Sequence, residues 1–200
     1  MKNLILIMIC LILSACGSSA GINLGPYYAY GPTRESFRVC HGYSCNFTAE
    51  AGFNDKTWKR LTKALRTKSK TPELERKKIA QVIGAIEKEA GKQTGTHSDH
   101  AEAAKIRDGY YQLDCIDETI NTALYLKFLQ EEGLLKHHRY ERSVHRGYWI
   151  NGEWPHNAVV ITHNKTGDQF VVDSYYKANG KPPYIMPFQD WIAGWTPHKP

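Results

Sequence analysis

Leu113-Asp114-Cys115-Ile116-Asp117, running on through the apolar stretch from Thr119 to Leu129, decides the fold of this chain. Ile116, Ile120, Ala123, Leu124, Leu126, Phe128 and Leu129 cover more than one side of a helix, and a helix apolar nearly all round has to be buried. The pattern predicts a central helix from about Cys115 to Glu132, stopped by Gly133. Asp114 is placed to cap it, and Asp117, at the third helical position, to complete the cap. The chain beyond Gly133 is β-patterned. Val144–Ile150 and Trp154–Thr162 flank Asn151-Gly152, a strong hairpin signal. Asn164-Lys165-Thr166-Gly167 then turns the chain into Gln169–Asp173. Helices followed by an antiparallel meander make the α+β pattern.

Upstream, Asn54 or Asp55 can cap a short helix through Arg66, with Trp58, Leu61 and Leu65 on one face. Thr71-Pro72 opens a second helix whose Ile79, Val82, Ile83, Ile86 and Ala90 keep helical spacing, with Gly91 as its stop. The stretch 38–47 reads as a short strand or a disulfide-closed loop. No internal repeat or second domain boundary is visible in the 200 residues.

The N-terminus reads as an export signal: Lys2, then the apolar run Leu4 to Leu13, too short to span a bilayer. Leu13-Ser14-Ala15-Cys16 resembles a bacterial lipobox, which implies cleavage before Cys16 and lipidation there. The expected organisation is a lipoprotein signal at 1–15, a Gly/Ser/Pro/Tyr-rich lipidated tether at 16–32 and one domain at 33–200. A lipid-anchored, periplasm-facing location in the cell envelope is expected from this, with the outer membrane as the expected anchor. Lys and Arg number 26 against 20 Asp and Glu. Much of the positive charge lies between Lys56 and Lys78 and reads as a solvated helix face, with no nucleic-acid partner expected.

Of five cysteines, Cys10 leaves with the signal and Cys16 takes lipid. Cys40 and Cys45 are a disulfide candidate in an oxidising compartment. That leaves Cys115 as a lone thiol. Cys40, His41 and Cys45 with His97 and His100 lack a diagnostic zinc spacing, so no metal site and no cofactor is expected.

Cys115 at a helix N-terminus is followed by His156, opening His156-Asn157-Ala158-Val159-Val160-Ile161-Thr162, and by Asp173, closing Phe170-Val171-Val172-Asp173. This is the chain order of a thiol triad: a thiolate attacks, an imidazole moves the proton, and a carboxylate orients the imidazole. If the loop is Asn164–Gly167, His163 pairs with Asp168, and His156 and Asp173 become diagonal neighbours on one sheet face. The Cys115 N–H is the natural first oxyanion donor, with Gln112, or Tyr111 through its hydroxyl, as a second. Trp149, Trp154, Tyr175, Tyr176, Trp191 and Trp195 cluster around these residues in sequence. Core packing is their default reading; Tyr175 and Tyr176 can also line a cleft.

Asp114-Cys115-Ile116-Asp117, His156-Asn157-Ala158-Val159 and Val171-Val172-Asp173-Ser174 resemble the transglutaminase-like superfamily, particularly its bacterial cysteine proteinases, over roughly Trp58 to Trp195. The resemblance implies a papain-like α+β fold with Cys115 as nucleophile, His156 as base and acid, and Asp173 as orienter. It implies an envelope protein or peptide as substrate, cleaved or transferred at an amide bond. Calcium near the site, as some members have it, would fall to Asp114, Asp117 and Glu118, the first two of which already have a capping role. Two alternatives stand beside it: an NlpC/P60-type peptidoglycan amidase, and a catalytically inactive lipoprotein that binds a partner in the same cleft.

Overall fold

In the computed structural model, which describes residues 20–103, 109–147 and 155–198, the chain runs α1 (Gly25–Tyr28), β1 (Phe37–His41), β2 (Phe47–Ala51), α2 (Asp55–Leu61), α3 (Lys63–Arg66), α4 (Pro72–Thr94), α5 (Cys115–Glu131), β3 (His138–Arg146), β4 (His156–His163), β5 (Gln169–Asp173), β6 (Tyr184–Pro187) and α6 (Phe188–Ile192). The fold is α+β with two antiparallel sheets, a β1-β2 hairpin and a four-stranded meander β3-β4-β5-β6. No helix among the described residues is long and apolar enough to cross a membrane.

The near-uniform apolarity of α5 is matched by its burial. Ile120, Ala123, Leu124, Leu126 and Leu129 are all at most 2 % exposed. They pack between Ile79, Val82, Ile83 and Ile86 of α4, the rings of Phe37, Phe53 and Trp58, and Val159, Ile161 and Val172 of the large sheet. Each of these Ile and Leu side chains withdrawn from water contributes about 1.5–3 kcal/mol, so α5 is the element around which the others are fixed.

The second hairpin sets the geometry of the site. The His163 amide donates to the Asp168 carbonyl at 2.8 Å, and the ladder pairs Val159 with Val172 and Ile161 with Phe170. Side chains alternate along strands. Val159, Ile161 and Val172 therefore face α5, whereas Ala158, Val160 and Val171 face the other way and pack with Val144, Met186 and Trp191 of α6. By the same parity His156 and Asp173 lie on the α6 side of the sheet.

Several expectations need correction. The helix expected through Arg66 divides at Thr62, which leaves the helical region at φ −89, ψ 5 and turns its hydroxyl back onto the Trp58 carbonyl at 2.8 Å. The second helix runs past Gly91 to Gly95, whose φ of 87 ends it. A Cβ on Gly91 would sit 2.9 Å from the Asn179 side chain and 3.0 Å from the His97 amide, so that glycine serves close packing rather than a stop. The 38–47 stretch is both readings at once, strand β1 followed by the disulfide-closed turn into β2. The segment read as a tether is docked from Ala20 onward. Ala20 bridges to Val144, the Ser143 hydroxyl donates to the Ile22 carbonyl, and the Tyr28 hydroxyl donates to the Ile120 carbonyl at 2.7 Å. The strand expected at Val144–Ile150 begins earlier, at His138. The signal, Cys16 and the Asn151-Gly152 turn lie outside the described residues.

Candidate active site

Asp114 caps α5 as its spacing suggests, accepting from the Ile116 and Asp117 amides at 2.9 Å each, while Asp117 returns a bond to the Asp114 amide at 3.1 Å. Cys115 thus stands on the first turn of a capped helix, half-buried and the one free cysteine among the described residues. The same two carboxylates hold the disulfide loop. Asp117 accepts from the Tyr43 amide at 2.9 Å and the Cys45 amide at 2.6 Å, and Asp114 from the Ser44 amide at 2.9 Å. Those amides converge because Gly42, Tyr43, Ser44 and Cys45 all adopt the left-handed region, with φ of 77, 67, 59 and 54. Successive amides of such a turn form a concave anion nest. The Cys40–Cys45 disulfide, with Cα atoms 4.7 Å apart, closes it. Burial and the neighbouring Asp114 push Asp117 up to about 7, against the pull of its three amide donors.

His156 meets Asp173 across the β4–β5 ladder, Nε2 to Oδ2, at 2.8 Å. That occupies Nε2 and leaves Nδ1 for the thiol. Burial alone would drive protons off this imidazole; the Asp173 carboxylate, and to a lesser extent the Cys115 side chain, override it and push His156 up to about 9. Asn157 follows His156 on the opposite side of the strand, yet its Nδ2 lies 3.9 Å from Cys115 Sγ, with its Oδ1 3.2 Å from His145 Nδ1. Cys115, His156 and Asp173, picked out from sequence, come together here.

Asp173 is 1 % exposed. Its Oδ2 accepts a second bond, from the Trp191 indole N–H at 2.8 Å, and its Oδ1 has no hydrogen-bond partner. The rings of Tyr175, Tyr176 and Trp191 stand 5.1, 5.3 and 5.6 Å from the His156 ring. Arg146 fixes this shell. Its guanidinium lies 4.4 Å over Trp191 and donates to the Trp191 carbonyl, to the Trp195 carbonyl at 2.8 Å and to the Tyr176 hydroxyl at 3.1 Å.

Behind the thiol helix lies a buried acidic pair, Glu87 and Glu118. The Gly180 amide reaches Glu87 at 2.9 Å, whereas Glu118 Oε2 has no partner. Burial, then Glu87 and Asp99, hold Glu118 well above the carboxylate range, and burial raises Glu87 to about 7. Asp114, Asp117 and Glu118 do not fit a calcium ion: the first two are bound to amides and the third is turned to Glu87. Among the described residues, the three potential metal ligands that converge are Cys40, Cys45 and Asp117, and there the two sulfurs are joined to each other.

Gln112 is placed differently from the oxyanion role. Its Oε1 accepts from the His100 amide at 3.0 Å and its Nε2 donates to the Ser98 carbonyl at 3.1 Å, so it pins the loop before the thiol helix. The side-chain amide that reaches the sulfur belongs to Asn157. Asn157, Arg146 and the indole bond of Trp191 were not legible as site features. Asn157 alternates away from His156, and α6 is five residues long with no periodicity to mark it. No protein-family model, curated protein or solved structure matches this chain.

Proposed function

We propose that this chain is a cysteine hydrolase that opens an amide bond through an acyl-enzyme. The observation that carries the reading is the His156–Asp173 bond of 2.8 Å on an imidazole whose proton affinity a half-buried thiol at a helix N-terminus also raises. Cys115 Sγ bonds to the carbonyl carbon, and its proton rests on His156 Nδ1. The helix N-terminus favours the negative sulfur, and Asp173 holds the imidazolium. Collapse of the tetrahedral adduct breaks the C–N bond, and His156 gives its proton to the leaving amine. Water, deprotonated by His156, then adds to the thioester and releases a carboxylic acid and the free thiol; an amine in place of water would give transfer. The oxyanion falls to the Cys115 amide and Asn157 Nδ2, the latter 3.9 Å from Sγ.

The resemblance to transglutaminase-like cysteine proteinases and the lipobox-like N-terminus favour an envelope protein or peptide as substrate for a lipid-anchored enzyme. The test is the pH dependence of Cys115 alkylation with and without His156→Ala. Labelling that persists well below the free-thiol pKa of about 8.5 and disappears in the variant supports the pair. Equal labelling in both proteins overturns it and makes a non-catalytic binding cleft the better account.

A further inference from the structure

The triad carboxylate is held in an unsymmetrical way. Asp173 is buried, both of its donors converge on Oδ2, and Oδ1 has none. A carboxylate with one such donor can turn about its last torsion and exchange oxygens. A second donor at the same oxygen, fixed from another element, blocks that rotation. The Trp191 indole N–H does this at 2.8 Å, from a ring that is itself fully buried. The short helix α6 cannot fix Trp191 unaided. Arg146, paired with His156 in the β3–β4 ladder, bonds the carbonyls of Trp191 and Trp195 at the end of α6 and lies over the indole at 4.4 Å.

We infer that Trp191 is a positioning residue of the triad, locking Asp173 Oδ2 toward His156 Nε2, and that Arg146 acts through Trp191 by clamping the end of α6. The inference rests on the proposed thiol–imidazole pair and adds a fourth and fifth member to the triad. Neither residue touches the reacting atoms. Their effect therefore falls on the fraction of enzyme in which the imidazolium is held, and not on the reactivity of a thiolate once formed.

The experiment uses the full chain carrying Cys10→Ser and Cys16→Ser, so that Cys115 is the only thiol outside the disulfide. Its iodoacetamide alkylation rate is followed from pH 5 to 10. Trp191→Phe keeps the apolar ring and removes the N–H. It is expected to label about tenfold more slowly at pH 6–7, the scale of one hydrogen bond to a charged group, and to reach the wild-type rate at pH 10. Arg146→Met is expected to shift the same low-pH limb, and to add nothing in the Trp191→Phe background. A benzothienylalanine at position 191, which replaces the N–H by sulfur within the same two-ring shape, reads the same quantity if Phe unsettles the packing. Wild-type behaviour of both position-191 variants at pH 6–7 overturns the inference while leaving the Cys115–His156 pair standing. Slowing at every pH including 10 also overturns it, since that is damage to the fold. Multiplicative effects of Arg146→Met and Trp191→Phe refute the assignment of Arg146 to Trp191. A wild-type protein with no low-pH limb overturns both the inference and the proposed function.

Discussion

Cutting the Cys40–Cys45 disulfide is the perturbation with the widest reach, because it acts on the cap of the thiol helix from outside that helix. The bond closes a loop of sequence separation five. The chain-entropy relation gives a loop this small about 2 kcal/mol of stabilisation at 25 °C. The loop has a second cost to keep in place. Tyr43, Ser44 and Cys45 are side-chain-bearing residues held in the left-handed region, at roughly 1–2 kcal/mol each. Their amide bonds to Asp114 and Asp117 offset that strain, since a hydrogen bond to a charged group contributes about 1.5–3 kcal/mol. Bonds and strain are of similar size, so the crosslink, by keeping the ends together, tips the balance toward the left-handed turn. Reduction is therefore expected to release the loop and leave Asp117, fully buried, without two of its three amide donors. The assay is urea unfolding of oxidised and phosphine-reduced protein in a Cys115→Ser background, starting at Ala20. A loss of about 2 kcal/mol or more is expected, together with faster amide hydrogen exchange at Ile116 and Asp117. If the two forms unfold within ~0.5 kcal/mol of each other with unchanged exchange at α5, the loop is not held in the way argued, and the reasoning fails.

The buried titratable groups and Asn157 give further expected outcomes. His156 is raised from 6.5 to about 9, so its contribution is fully present below pH 6.5 and lost as pH rises through 9. It amounts to about 3 kcal/mol at roughly 1.4 kcal/mol per unit, and His156→Asn should flatten the stability profile over that window. Glu87 and Glu118 are acids raised by burial; their protonated forms favour the fold below about pH 4.5, and the advantage is lost as pH rises, through about 7 for Glu87. Glu118→Gln, which keeps the shape and removes the charge, should leave stability near pH 4.5 unchanged and raise it at pH 8, measured by thermal or urea unfolding. Asn157→Ala is expected to leave unfolding within ~1 kcal/mol of wild type and to slow thioester formation from an activated amide or ester about 100-fold, the scale of one oxyanion donor. Retained acylation rates would return the second donor to another group.

Much of the site is legible in the sequence, and for local reasons. The Asn164–Gly167 turn fixes the β4–β5 register, and with a side-chain period of two that register alone puts His156 and Asp173 on one face. The Asp114 cap and the Gly133 stop follow from the pattern around α5, whose burial follows from its all-round apolarity. The role of Gln112 is not legible because a carboxamide carries no spacing rule, and its partners are the last residue of the short 3-10 turn Thr96–Ser98 and His100 just beyond it. The role of Gly91 is not legible because the sequence does not distinguish a glycine that ends a helix from one that lets Asn179 approach.

By itself the sequence determined the α+β order, the buried helix, the free thiol and the strand parity that pairs histidine with aspartate. Each depends on residues within a turn, a helix or a hairpin of one another. Only the tertiary structure decided which groups close around them. The amides of Tyr43 and Cys45 reach Asp117 across 74 and 72 residues, and Trp191 reaches Asp173 from a helix of five residues. Such contacts depend on how the buried faces of α5 and the sheet settle against their neighbours. That is a property of the whole packed core, and no local pattern encodes it.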